Sequence, residues 1–160
     1  MKKLTLKITL LTLLLGSTAG FAQDAKADSA YVRNNYEKIE QVIPMRDGTK
    51  LFTAIYQPKD KTKQYPVLLN RTPYTVAPYG TDAYKKTLGN FPAEMHEGFI
   101  FVYQDVRGKW MSEGEFEDVR PINSSKSKKS TDESTDTYDT LEWLEKNLKN
   151  YTKKAGIYGI

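Results

Sequence analysis

Cysteine is absent from the 160 residues, and histidine occurs once, as His96. The first absence excludes disulfides, thiolate zinc sites and a cysteine nucleophile. A single histidine leaves no imidazole cluster to hold a transition metal. The carboxylates of Asp132, Glu133 and Asp136 stand close together but lack the spacing of a calcium loop. No cofactor and no metal are therefore expected. Long apolar runs are missing too: Ile8 to Leu15 is too short to cross a bilayer core of roughly 30 Å.

Acidic residues are missing from the opening stretch "MKKLTLKITLLTLLLGSTAGFA". Lys2 and Lys3 precede the apolar run, and Gly20-Phe21-Ala22 ends it with a small-x-small pattern. This is the layout of a bacterial secretory signal peptide spanning residues 1–22, cleaved after Ala22. The protein is thus expected in the periplasm or outside the cell, without a membrane anchor once the signal is removed. Three of the 24 basic residues lie in that stretch and none of the 20 acidic ones, so the remainder is close to neutral. A nucleic-acid partner loses its electrostatic basis.

What is present reads as one α/β domain over 36–160. Residues 23–35 are polar and predict a flexible mature terminus. Ile39, Val42 and Ile43 come before Asp47-Gly48, and Leu51, Thr53 and Ile55 alternate after it, which predicts a β-hairpin closed by an Asp-Gly turn. "PVLL", "GFIFVY" and "AGIYG" are short continuous apolar runs, each predicting a strand covered on both faces. Between the first two, Thr81 to Leu88 predicts a helix stopped at Gly89, with Asp82 early and Lys85 and Lys86 late. Between the last two, a helix opens near Thr131, with Asp132 and Glu133 in its first turn. Tyr138, Leu141, Leu144 and Leu148 are its predicted buried stripe, and Trp143 packs at the stripe's edge. Hairpin followed by strand–helix–strand–helix–strand specifies parallel strands joined by crossovers.

The last strand runs into Gly159-Ile160. A central strand ending in Gly-x is how the G-x-S-x-G turn of α/β-hydrolases begins, with the serine as the next residue. By itself that ending is shared with many strands. However, "MRDGTKL", "LLNRTPY", "YQDVRGKWMSEGEF", "DESTDTYDTLEWL" and "AGIYGI" occur in one order and spacing. In this the chain resembles the X-Pro dipeptidyl-peptidase-like serine hydrolases, the group of cocaine esterase, α-amino-acid ester hydrolases and glutaryl-7-aminocephalosporanic acid acylases. The resemblance covers about Tyr36 to Ile160.

It implies the amino-terminal half of an α/β-hydrolase fold, truncated at the nucleophile-elbow strand. A helical cap and a carboxy-terminal jelly roll would lie beyond. The substrate would be a small ester or amide or a short peptide. Tyr74 matches the tyrosine whose hydroxyl is an oxyanion-hole donor in that family; otherwise Pro73-Tyr74 turns the chain and packs over the sheet. Asp105, Arg107 and Gly108 match the family's "DVRG" block. Asp105 stands at a strand's carboxyl end but reads as structural, pairing with Arg107 or capping loop amides, because the triad's acid follows the serine in this fold. Gly114 marks a turn, and Trp110 and Phe116 either line a pocket or pack. His96 precedes the elbow, so the order Ser, Asp, His makes it a surface residue rather than the base. With serine, acid and base all beyond Ile160, this chain alone is expected to be inactive. A chain complete at Ile160 would instead be a non-catalytic exported α/β binding module with its last strand uncovered.

Overall fold

The computed structural model describes residues 25–118, 120–124 and 130–159. The expected signal peptide and Ile160 lie outside the described residues. Helix α1 covers 25–35, followed by β1 (Tyr36–Pro44), β2 (Lys50–Pro58), β3 (Tyr65–Thr72), α2 (Pro92–Glu97), β4 (Ile100–Asp105), α3 (Glu133–Asn147) and β5 (Tyr151–Tyr158). The strands form one sheet in the order β1-β2-β4-β3-β5. β1–β2 and β2–β4 pair antiparallel, whereas β3 pairs parallel with both β4 and β5. This is the predicted hairpin with parallel strands behind it.

Strand alternation sends neighbouring side chains to opposite faces, so each side of the sheet has its own core. Tyr36, Phe52, Tyr56, Phe101 and Tyr103 gather on one side with Val32, Val76, Leu88 and Met95. Ile55, Val67, Leu69, Ile100 and Val102 meet Leu144 of α3 on the other. Among the described residues no helix is long and apolar enough to cross a membrane.

Several local expectations change. Residues 25–35, expected as a flexible terminus, are helical, because Val32 is buried in the first core and the Tyr31 ring packs tilted against His96 at 4.1 Å between ring centroids. The hairpin loop is wider than an Asp-Gly pair: Pro44 sits opposite Lys50, and Met45 N–H donates to Thr49 O at 2.8 Å. The Asp47 carboxylate braces this wider loop, accepting from Thr49 N–H at 3.1 Å within it and from Arg107 Nη1 at 2.7 Å beyond it.

No helix forms over 81–88. The carbonyls of Pro78, Gly80 and Ala83 instead surround the buried ammonium of Lys38, at 2.6, 2.9 and 2.9 Å. An unsolvated ammonium would be far costlier than one lost helical turn. The helix of this connection is α2, started by Pro92 in its first turn and ended by Gly98 at φ 82°. Both devices are standard helix punctuation.

The face of α3 also differs. Its buried line is Asp136, Thr140 and Leu144, whereas Tyr138 is exposed and Leu141 and Leu148 are partly covered. The amino-terminal half of the helix packs through bonded polar groups, which a hydrophobic stripe does not register. Asp132 is the N-cap, and with Thr135 it forms a reciprocal capping box, satisfying two amides at the helix start.

The last strand departs most. The sequence predicts a strand covered on both faces, but β5 lies at the sheet edge and Ala155 to Ile157 are exposed.

Candidate active site

Parallel strands deliver their following loops to one edge of a sheet, and ligands of open α/β sheets bind at that edge. Thr72 of β3 is in register with Asp105 of β4, and Asn70 with Tyr158 of β5. Val106 N–H extends the ladder to Thr72 O at 3.2 Å. Pro73-Tyr74, Val106-Arg107-Gly108 and Gly159 therefore leave the sheet side by side. A cleft of about 440 Å³ lies there, lined by Arg71, Pro73, Val106, Phe116, Tyr158 and Gly159 among others.

Tyr74 is 66% exposed and so does not pack over the sheet. Its N–H donates to Thr72 Oγ1 at 3.1 Å, a tight turn directly after β3. Its neighbours are fixed from both sides. Trp110 donates its indole N–H to Pro73 O at 3.0 Å, and Asp105 Oδ1 accepts from Val76 N–H at 3.1 Å. Lys85 reaches Ala77 O at 2.8 Å.

Asp105 is fully buried. Besides Val76, it accepts from the Tyr79 hydroxyl at 2.9 Å, and Met111 N–H points to it from 3.4 Å. Of its two expected roles, capping loop amides is the one observed. Burial raises its carboxyl pKa, against the hydrogen bonds of Tyr79, Met111 and Val76 and the charge of Lys85. The Lys85 ammonium is pushed down by burial and by Lys38 nearby.

Arg107 turns elsewhere. Its guanidinium grips Asp136 at 2.6 and 3.0 Å, and Asp47 at 2.7 Å. The segment after β4 is thereby tied to both the hairpin loop and α3. The Asp136 hydrogen bonds, opposed by burial, raise the Arg107 pKa still further above its ordinary value. Gly108 has φ 69°, and a Cβ there would stand 2.2 Å from Phe116 N. Only glycine fits that position. Gly114, also at positive φ, marks the expected turn, where a Cβ would press on the Arg107 chain at 2.8 Å. Phe116 lines the cleft, and its ring lies 3.8 Å from Lys109 Nζ.

The three carboxylates near the start of α3 part ways: Asp132 caps the helix, Glu133 pairs with Arg71 at 2.8 Å, and Asp136 holds Arg107. His96 is exposed on α2, with its ring against Tyr31, and does not line this cleft.

Sequence reasoning missed a buried polar network beneath the edge. Gln104 Nε2 donates to Thr53 Oγ1 at 3.0 Å and to Thr140 Oγ1 at 2.9 Å, while its Oε1 accepts from Arg71 Nε at 2.8 Å. It also missed Lys38. The available signal was alternation: Tyr36, Lys38 and Glu40 share one face of β1, so a charge on the Tyr36 side demanded partners.

The antiparallel hairpin, parallel β4-β3-β5 and flanking helices form the amino-terminal portion of the α/β-hydrolase fold. The site edge carries Pro73-Tyr74 after β3 and Gly159 after β5. Residues 47–160 match the X-Pro dipeptidyl-peptidase (S15) family, and the chain belongs to that family of serine hydrolases. It is 38% identical over 86 residues to the cocaine esterase of Rhodococcus sp. (strain MB1 Bresler), covering 53% of this chain and 14% of that protein. An aminopeptidase from a marine sediment Thaumarchaeota archaeon superposes with TM-score 0.66 at 36% identity, over 77% of this chain and 21% of the other. An α-amino acid ester hydrolase superposes equally well, at 37% identity and the same coverage. The chain thus spans about a fifth or less of the length of these relatives.

Proposed function

We propose that this chain forms the amino-terminal part of the catalytic domain of an exported serine hydrolase that cleaves ester or amide bonds by acyl transfer. The observation that carries the reading is the common edge: Tyr74, just past β3, and Gly159, just past β5, leave the sheet beside each other, as a hydrolase elbow and its oxyanion loop require. Membership of the family supports it, as do the esterase, ester hydrolase and aminopeptidase among the relatives. The opening residues support export, with cleavage after Ala22.

In this reading a serine directly after Ile160 is the nucleophile. Its oxygen bonds to the substrate carbonyl carbon while a histidine further along takes the proton. That proton then goes to the departing alcohol or amine as the C–O or C–N bond breaks. Water releases the acyl group by the same steps in reverse roles. The Tyr74 hydroxyl donates to the carbonyl oxygen as it gains negative charge, beside the backbone N–H after the serine. One such donor is typically worth about 3 kcal/mol of transition-state stabilisation. Tyr74 suits this role because its ring is exposed while the backbone around it is held.

The test is to express the whole open reading frame that contains these codons and treat the product with a fluorophosphonate probe. Labelling that maps to the serine after Gly159-Ile160, together with no labelling of the 160-residue chain, is the expected result. An unlabelled whole product would remove the hydrolase reading and leave the exported binding module.

A further inference from the structure

Among the described residues, Trp110 and Lys153 are the non-glycine residues with positive φ, and Trp110 stands at 51°. A bulky residue in the left-handed region is a strained backbone, and such strain persists where surrounding contacts enforce it. Burial does not explain it, because Trp110 is 62% exposed. Its one polar atom makes a specific contact instead. The indole N–H donates at 3.0 Å to the carbonyl of Pro73, the oxygen of the peptide that joins Pro73 to Tyr74.

We propose that Trp110 is a positioning residue: its left-handed backbone aims the indole N–H at Pro73 O and so fixes the peptide that carries Tyr74. This rests on the reading of Tyr74 as an oxyanion donor. The loop that bears Trp110 is itself rigidly held. Gly108 N–H donates to Glu113 O and Ser112 N–H to Lys109 O, both at 2.9 Å. The Ser112 hydroxyl donates to Asp105 O at 2.6 Å and accepts from Phe52 N–H at 2.8 Å. Trp110 is thus mounted on β2 and β4, and it transmits their position to a turn that has left β3. Asp105 secures the following residues through Val76 and Tyr79. Tyr74 lies between these two anchors. The indole N–H suits this task because it can only donate, so it commits to a carbonyl partner.

The test compares Trp110→Phe, which keeps a ring and loses the donor, with Tyr74→Phe and the double variant, all in the whole gene product. With a soluble ester substrate, Trp110→Phe is expected to lower kcat about tenfold with KM unchanged, as loss of transition-state alignment does. In the Tyr74→Phe background the same change should cost less than about twofold, because both act through one hydroxyl. Amide exchange at Tyr74 should accelerate in Trp110→Phe while that at Val76 does not. An unchanged kcat with unchanged exchange at Tyr74 overturns the proposal. Should Tyr74→Phe leave kcat intact, the oxyanion reading fails by itself, and the exchange at Tyr74 alone decides whether Trp110 positions it. If Trp110→Phe does not fold, the unmutated protein still decides. A Trp110 indole proton protected from solvent, despite the exposed ring, upholds the bond, and exchange at the rate of a free indole refutes it.

Discussion

β4 and β5 look alike as sequence and differ in the molecule. Each carries a short apolar run, Ile100 to Tyr103 in β4 and Ala155 to Tyr158 in β5, in the parallel part of the sheet. All six residues of β4 are buried, whereas Ala155, Gly156 and Ile157 of the run in β5 are exposed. The difference is one of address: β4 lies between β2 and β3, while β5 pairs with β3 at the edge. An apolar run reports a strand's preference for cover, not whether its neighbours supply it. Beyond β4 the contrast deepens. Its exit is fastened by Asp105, Arg107 and Ser112 to the loop after β3, the hairpin loop, α3 and β2, so the order in this region is built from bonded polar groups as much as from apolar contact.

The largest effect that could break this contrast is at Arg107. Arg107→Ala would leave the Asp136 carboxylate buried without its guanidinium, and breaking one side of a buried pair costs about 3–5 kcal/mol. Urea unfolding should show that loss, and a loss below about 1 kcal/mol would mean that the cross-link does not organise the exit from β4. Next, Ile100→Ala removes a fully buried side chain of β4. It should cost about 2–5 kcal/mol on the same measurement.

Asp132→Ala, which unmakes the capping box of α3, should cost about 1 kcal/mol. The effect carries a pH signature. Hydrogen bonds from Thr135 N–H and then Asn123 N–H hold the Asp132 carboxyl below its ordinary value of 3.8. A carboxylate with a depressed folded pKa contributes stability that is present above the unfolded value and lost as pH falls through the folded one. Unfolding midpoints of wild type and Asp132→Ala should therefore differ at neutral pH and converge below the ordinary carboxylate range. A gap that stays constant down to pH 2 would assign the loss to packing instead.

The smallest effect is the one that sharpens the comparison. Ile157 is 57% exposed, so Ile157→Ala in the 160-residue chain should change stability by no more than about 0.5 kcal/mol. A cost in the whole gene product approaching that at Ile100 would show that a further element covers β5 there.

Much of the architecture was legible. The hairpin, the three parallel strands and α3 follow from period-two alternation, short apolar runs and an acidic helix start, all of which are local. The helix expected over 81–88 was not formed: Lys38, some 40 residues earlier in sequence, claims the carbonyls of Pro78 and Gly80 just before that segment and of Ala83 within it. The buried side of α3 was misread for a related reason: Asp136 and Thr140 are buried because Arg107 and Gln104 wait beneath them. At the candidate site, Tyr74, Asp105, Arg107, Gly108 and Gly159 could be named from motif order. What holds the residues around Tyr74 could not, since Asp105 at the end of β4 and Trp110 in the loop after it reach Val76 and Pro73 from a distant part of the chain.

By itself the sequence determined which segments become strands and helices, and it placed the chain in its family. Those signals depend on residue type and spacing along one stretch of backbone. Only the tertiary structure decided which apolar strand is covered, which charges are buried in pairs, and how Tyr74 is held at the sheet edge. Burial and hydrogen-bond partnership are set by residues distant in sequence, and local pattern carries no record of them.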